Sequence, residues 1–139
     1  MNVIVFDIDG VLADNSNYNK WYKNGEFIPE KFGKDIPKLK VNMWAKELVN
    51  LLYMTNYVIL LTARRKSFRE KTEAWLSKYD IHYDMLITND ETKDQVEYKL
   101  EKLTKIPSVS LIVEDNPELV KAMRKEGYVV LQPNNMYED

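Results

Sequence analysis

The sequence predicts an α/β fold of the doubly wound, Rossmann-like kind. The expected form is a mostly parallel five-stranded sheet with helices on both faces and a small flap after the first strand. Three observations carry that expectation. Five short apolar, largely β-branched runs recur along the 139 residues. Stretches of helical periodicity lie between most of them. The runs are apolar throughout rather than alternating, as parallel strands covered on both faces require.

The first run is Val3-Ile4-Val5-Phe6. Asp14 to Lys40 then breaks the rhythm: it is polar and aromatic, with Gly25, Pro29, Gly33 and Pro37 as breakers. That is too long for an ordinary strand–helix loop, and long loops in compact domains tend to be lids or binding elements. Tyr18, Trp21, Tyr22, Phe27 and Phe32 need something to pack on, so an ordered flap or minimal cap at about 14–40 is expected. Val41 to Thr55 reads as a helix with Trp44, Leu48, Leu51 and Leu52 on one face, and Val58–Leu61 as the second strand. A helix over Ser67–Tyr79 carries Phe68, Trp75 and Leu76, with Ser67 and Glu70 spaced as a capping box. Trp44 and Trp75 both read as core. Met85-Leu86-Ile87 is a weaker strand, with the lone histidine, His82, just before it as a boundary residue. Thr92 to Lys105 is the next helix, through Val96, Leu100 and Leu103. Ser108–Val113 and Tyr128–Leu131 complete the sheet, separated by a helix that opens Asn116-Pro117 and closes at Gly127.

One domain spanning residues 1–139 suits this length. Hydrophobic residues make up 45% and charged residues 30%, a globular composition, and a net charge of −2 gives no bulk electrostatic case for nucleic-acid binding. There is no cysteine, which excludes disulfides and thiolate metal sites. MNVIVFDIDG does not read as a signal peptide, and no apolar run reaches membrane-spanning length, so a cytoplasmic protein is expected.

Open α/β sheets bind ligands beyond the carboxyl ends of their strands. Those positions hold Asp7, Asp9 and Gly10; Thr62, Ala63 and Arg64; Thr88, Asn89 and Asp90; and Glu114, Asp115 and Asn116. In VIVFDIDGVL one carboxylate can attack phosphorus while the second protonates the leaving oxygen and later activates water. Gly10 permits the sharp turn that brings both to one cavity. Like charges this close need a cation, and hard oxygen ligands favour Mg²⁺. A lone Asp-x-Asp-Gly is as readily a solvated turn; its place after an apolar strand argues against that. In VILLTARR the Thr62 hydroxyl and the backbone after it can hold phosphate oxygens, with Arg64 binding in bidentate fashion. Arg65, Lys66, Arg69 and Lys71 are a solvated basic face that could also track a polyanion. Lys93 could neutralise the carboxylates, with Lys99 and Lys102 as rivals; Asp94 could orient Lys93 or favour a helix N-terminus. Asp115 is the favoured metal ligand after the fourth strand end, with Glu114 beside it or acting through water.

In order and spacing, the DIDGVL, LTAR, lysine and VEDNPE elements resemble the haloacid dehalogenase superfamily of phosphotransferases over nearly the whole chain. The resemblance implies Asp7 as nucleophile and Asp9 as general acid/base, hence a phosphatase. It further implies Thr62 and Lys93 in the second and third motifs, and Asp115 with Glu114 in the fourth. Within that superfamily KVNMWAKELVNLL, LTARR, TKDQ and VEDNPELVKAMRKEGY look most like the 3′-phosphatase domain of phage-type polynucleotide kinases. That likeness implies phosphate binding by Arg64, a role for Asp94, and a phosphorylated nucleic-acid end or nucleotide as substrate. A kinase or ligase would then be a separate partner. The flap holds no arginine, which that group uses there, so Lys20 or Lys23 would have to substitute; no phosphate-binding loop of kinase type is present. A nucleotidase with the aromatic flap stacking on the base is the enzymatic alternative. A phospho-accepting receiver fits less well, because its acceptor closes a middle strand, and an inactive binding module would be expected to have lost one of Asp7, Asp9 or Asp115.

Overall fold

The computed structural model describes residues 2–90 and 93–134. Its main sheet has five strands, all parallel: β1 (Val3–Phe6), β4 (Tyr57–Arg65), β5 (Met85–Asn89), β6 (Val109–Val113) and β7 (Val130–Leu131). Their spatial order is β5-β4-β1-β6-β7, which makes β1 central and puts the reversal of winding beside it. Alternation along β1 divides the core. Ile4 and Phe6 face α2 (Met43–Tyr53) and α3 (Arg69–Lys78), together with Val58 and Leu60 of β4. Val5 faces α4 (Gln95–Thr104) and α5 (Pro117–Lys125) with Ile59 and Leu61. Both faces of the sheet are therefore covered, and the apolar runs are explained.

The segment between β1 and α2 is ordered among the described residues. It contains a 3₁₀ turn (Tyr18–Trp21), a hairpin of β2 (Tyr22–Lys23) and β3 (Glu26–Phe27), and α1 (Pro29–Asp35). The hairpin turns through Asn24 at φ 53° and Gly25 at φ 80°, and positive φ at both central residues is what a two-residue turn matching strand twist needs. Phe32 anchors the segment, with Trp21 at 4.9 Å and Phe68 at 5.2 Å between ring centroids, both edge-on. Lys71 Nζ donates to Gly33 O at 2.9 Å and Trp75 Nε1 to Leu39 O at 2.9 Å, tying the segment to α3.

Three expectations are corrected. Trp75 is core at 1% exposed, but Trp44 is 44% exposed and Leu51 65%; α2 buries Ala45 and Val49 instead, small side chains that let it lie close on the sheet. Ser67 does not cap α3. β4 continues to Arg65, a 3₁₀ turn occupies Lys66–Phe68, and the helix begins at Arg69 without a side-chain cap. The helix expected over Thr92–Lys105 is α4, which begins at Gln95 with Asp94 as its cap; Thr92, the expected start, lies outside the described residues. Asn116 does cap α5 as its Asn-Pro signature predicts, accepting Leu119 N–H at 3.1 Å.

Candidate active site

The strand ends meet above β1. Asp7 N–H donates to Val113 O at 3.0 Å and Glu114 N–H to Leu131 O at 3.1 Å, so the ladder runs one residue past each strand and fixes where both carboxylates start. Together with Asp9, Arg64, Asn89 and Asp115 they line a cavity of about 330 Å³, roofed by the aromatic flap.

Lys99 is the cation inside this cluster. It is 1% exposed, and its Nζ donates to Asp7 Oδ1 and Glu114 Oε1 at 2.7 Å each. A buried ammonium persists only when paired in this way. Burial opposes its charge, yet Asp7 and Glu114 hold its proton more tightly than an ordinary lysine's. Lys93, the expected partner, sits at the rim instead, with Nζ 2.6 Å from Glu101 Oε2. The reason lies in the helix: Val96, Lys99, Leu100 and Leu103 share one stripe of α4, which faces the sheet, whereas Lys93 precedes the helix. A lysine within an apolar stripe was the signal in the sequence. Of the roles open to Asp94 the structure shows the one at a helix N-terminus: its carboxylate accepts the N–H groups of Val96 and Glu97. The expected part in substrate binding is corrected, since Asp94 does not line the cavity.

Asp7, Glu114 and Asp115 bring carboxylate oxygens within 4.8 Å of one another, all buried. Burial, then the Glu114 charge, pushes Asp7 up to about 7. Burial, then the Asp7 charge, pushes Asp115 up to about 10. Glu114 is lowered despite burial, chiefly by Lys99. Both of its oxygens are engaged: Oε1 by Lys99, Oε2 by the N–H groups of Asp115 and Asn116 at 3.0 and 3.1 Å. With all three carboxylates ionised, one lysine would leave a buried excess of negative charge. Burial holds protons on Asp7 and Asp115 instead, and this all-oxygen donor set fits a hard dication that displaces them. Asp7 and Asp115 are the carboxylates placed to hold it, while Glu114 orients Lys99 and the start of the Asp115 backbone. Gly10 has φ 84°, and a Cβ there would collide with the Asp115 carboxylate. The glycine thus serves the turn and the close approach together.

Asp9 stands apart from this cluster. Arg64 grips it in bidentate fashion, Nε to Oδ2 at 2.9 Å and Nη2 to Oδ1 at 2.7 Å. The remaining Nη1 donates to Thr72 Oγ1 at 2.9 Å, and the guanidinium lies 5.0 Å from the Phe32 ring centroid. Arg64 is only 5% exposed, so its charge needs this carboxylate, and its fork is directed at Asp9 rather than open to a ligand. Thr62 is fully buried. Its hydroxyl oxygen accepts Arg64 N–H at 3.1 Å, and Ala63, Arg64 and Arg65 rather than Thr62 line the cavity. Neither flap lysine replaces the missing arginine: Lys20 lies 3.8 Å from Asp35 and Lys23 borders a second, separate cleft. Asn89, read from sequence as a strand-end residue, and Phe68, read as part of an apolar helix face, both line the cavity. Thr72 and Gln95 were not singled out, since nothing in their local pattern marks them.

The sequence model of the HAD superfamily, subfamily IIIB (acid phosphatase), matches residues 1–138. The chain belongs to that family. No curated protein matches it. Among solved structures, a chain of the Pnkp1/Rnl/Hen1 RNA repair complex is similar with a TM-score of 0.80 at 21% identity over 96% of this chain. This chain spans 42% of that one, and 46% of its counterpart in a second Pnkp1/Rnl/Hen1 structure. A haloacid dehalogenase-like hydrolase from Streptococcus pneumoniae gives 0.67 at 14% identity, covering 95% of this chain and 84% of that one. A HAD family enzyme from Bacteroides thetaiotaomicron, in complex with magnesium and inorganic phosphate, gives 0.59 at 13% identity, covering 100% and 96%. At these identities the structural likenesses establish the fold. No helix among the described residues is long and apolar enough to cross a membrane.

Proposed function

We propose that this HAD phosphatase is a Mg²⁺-dependent phosphomonoesterase that forms an aspartyl-phosphate on Asp7 and acts on 3′-phosphorylated nucleic-acid ends. The observation that carries the reaction is the setting of Asp7: fixed by the β1 ladder, flanked by Lys99 and Asp115, with the second carboxylate Asp9 on a guanidinium in the same cavity. Asp7 and Asp115, with the backbone carbonyl of Asp9, would hold Mg²⁺, which supplies positive charge to the phosphoryl oxygens.

Asp7 attacks phosphorus as the ester P–O bond breaks. Asp9, freed from Arg64 by the incoming phosphate and having taken up a proton from the substrate's acid phosphate or from water, gives that proton to the leaving alkoxide. Water then attacks the aspartyl-phosphate, Asp9 takes the water's proton, and Asp7 departs as a carboxylate with release of inorganic phosphate. Lys99 offsets charge on Asp7 throughout. Arg64 links substrate binding to the acid: a phosphate that accepts the guanidinium fork competes with Asp9, releasing that carboxylate for proton transfer. Backbone groups from Ala63 onward line the same wall.

The nucleic-acid end is supported by likeness to a chain of an RNA repair complex. On this reading a kinase or ligase acting on the same ends would be a separate partner. The test is divalent-dependent phosphate release from a matched panel. It holds a 3′-phosphorylated oligonucleotide, its 5′-phosphorylated counterpart, nucleoside 3′- and 5′-monophosphates, and sugar phosphates. Preference for the 3′-phosphorylated strand is expected. Preference for free monophosphates would make the chain a nucleotidase with the same chemistry.

A further inference from the structure

The cavity has two unlike walls. Strand-end carboxylates and Arg64 form one, and the aromatic flap with Phe68 forms the other. Most of the flap's rings are used in packing. Trp21 and Phe32 are each 4% exposed and set edge-on at 4.9 Å, and Trp21 Nε1 donates to Asp35 at 2.8 Å.

Tyr22 is different. It borders the cavity yet is 46% exposed. Its ring neighbours are Tyr18 at 6.3 Å and 77°, and Phe27 at 5.5 Å and 58°, so neither lies flat against it. Its phenol makes no hydrogen bond among the described residues. The two-residue hairpin turn holds this ring in place at the mouth of the cavity.

Arg65 stands on the same cavity, one residue beyond Arg64 and paired in register with Asn89. It is exposed, and among the described residues its side chain has no hydrogen bond or ion pair. Arg64 is committed to Asp9, Arg69 to Glu73 and Leu86 O, and Lys71 to Gly33 O, while Lys66 does not line the cavity. An uncovered ring and an unpaired guanidinium beside one phosphoryl site suit a ligand with a flat ring and a second anion. An aryl phosphate has the ring without the second anion, and a sugar monophosphate has neither. A nucleic-acid strand repeats both.

We infer that Tyr22 and Arg65 form a leaving-group subsite, the terminal base packing on the Tyr22 ring and the next internucleotide phosphate binding Arg65. This rests on the nucleic-acid reading above and adds to it the residues that read the strand.

The experiment compares kcat/KM for a 3′-phosphorylated single-stranded oligonucleotide, the same strand with an abasic terminal nucleotide, a nucleoside 3′-monophosphate and glycerol phosphate. The proteins are wild type, Tyr22→Ala, Tyr22→Phe and Arg65→Ala. Wild type should prefer the based strand over the abasic one; Tyr22→Ala should lose about tenfold of that preference and Tyr22→Phe should keep it. Arg65→Ala should flatten the fall of log(kcat/KM) with log[salt] on the oligonucleotide by about 0.7, the loss of one phosphate contact on a single strand. An oligonucleotide turned over with an unaltered base preference in Tyr22→Ala and an unaltered salt slope in Arg65→Ala would overturn the subsite alone. Wild type that favours glycerol phosphate over every nucleotide would overturn the nucleic-acid reading, and the subsite with it.

Discussion

Lys99 on α4 and Asp7 at the end of β1, ninety-two positions apart in sequence, meet at 2.7 Å with the Lys99 side chain only 1% exposed. Removing this ammonium leaves Asp7 and Glu114 facing each other in a buried space. Lys99→Met should therefore cost about 3–5 kcal/mol of stability, the usual scale for breaking a buried pair from one side. It should also reduce turnover by orders of magnitude. Lys93→Ala removes a water-screened ion pair whose side chains are 32% and 41% exposed, so it should cost far less. Denaturant unfolding and phosphate release on both variants check the assignment; a larger loss in Lys93→Ala would return the motif lysine to Lys93.

Stability of the metal-free protein should fall as pH rises. Asp7 and Asp115 bind protons more tightly when folded, up to about 7 and about 10, than at their ordinary value of 3.8. Between those limits the folded state holds more protons than the unfolded one, so unfolding free energy declines with pH. Glu114 runs the other way, but its contribution is already complete above its ordinary value of 4.5, and that of Lys99 is complete below 10.5. From about pH 5 to about pH 8 the two aspartates decide the slope. Thermal melts with EDTA should show the decline, and added Mg²⁺ should raise the midpoint more at the higher pH. An equal Mg²⁺ effect at both ends would remove Asp7 and Asp115 as its ligands.

Asp7→Asn should abolish turnover while leaving the circular dichroism spectrum unchanged, because the amide keeps the shape of the group but cannot accept the phosphoryl group stably. Asp9→Asn should instead slow the leaving-group and hydrolysis steps. Acid-quenched protein from that variant, incubated with labelled substrate, should retain label on the chain. Unlabelled Asp9→Asn with normal kinetics would take Asp9 out of its role.

How much of this was readable in advance follows from which residues act locally. The strands and the convergence of Asp7, Asp9, Glu114 and Asp115 were legible because apolar runs and the acids after them are adjacent in sequence. Asn116 was legible as a cap for the same reason. Lys99 was left among three candidates because its partners arrive from two other strands. Thr72 carries no local mark at all: its role exists only once α3 packs beside β4. Arg64 was foreseen at the site but with the wrong immediate partner, since nothing in the order of residues shows that a guanidinium 5% exposed must first satisfy Asp9. Trp44 misled because size favours burial, whereas α2 lies on the sheet through Ala45 and Val49.

Gly10→Ala tests the approach of the first turn to Asp115. The new Cβ would meet the carboxylate, and φ 84° is strained for any residue with a side chain, at about 1–2 kcal/mol. Midpoint loss of that size in EDTA is expected, together with weaker Mg²⁺ binding by calorimetry, because Asp115 must shift. Unchanged Mg²⁺ affinity would mean that the metal does not depend on where Asp115 stands.

Thr72→Val should separate the anchoring of Arg64 from its charge. Valine keeps the shape of threonine but removes the oxygen that accepts from Nη1 at 2.9 Å, leaving a buried guanidinium N–H without that partner. The cost should be about 1–3 kcal/mol in unfolding free energy. If the Thr72 contact also holds the fork for Asp9 and for the incoming phosphate, KM should rise. Thr72→Ser keeps the hydroxyl and should restore KM even where it does not restore full stability. A Thr72→Val protein that is merely less stable, with the KM of wild type, would confine Thr72 to packing and leave Arg64 positioned by Asp9 and Phe32 alone.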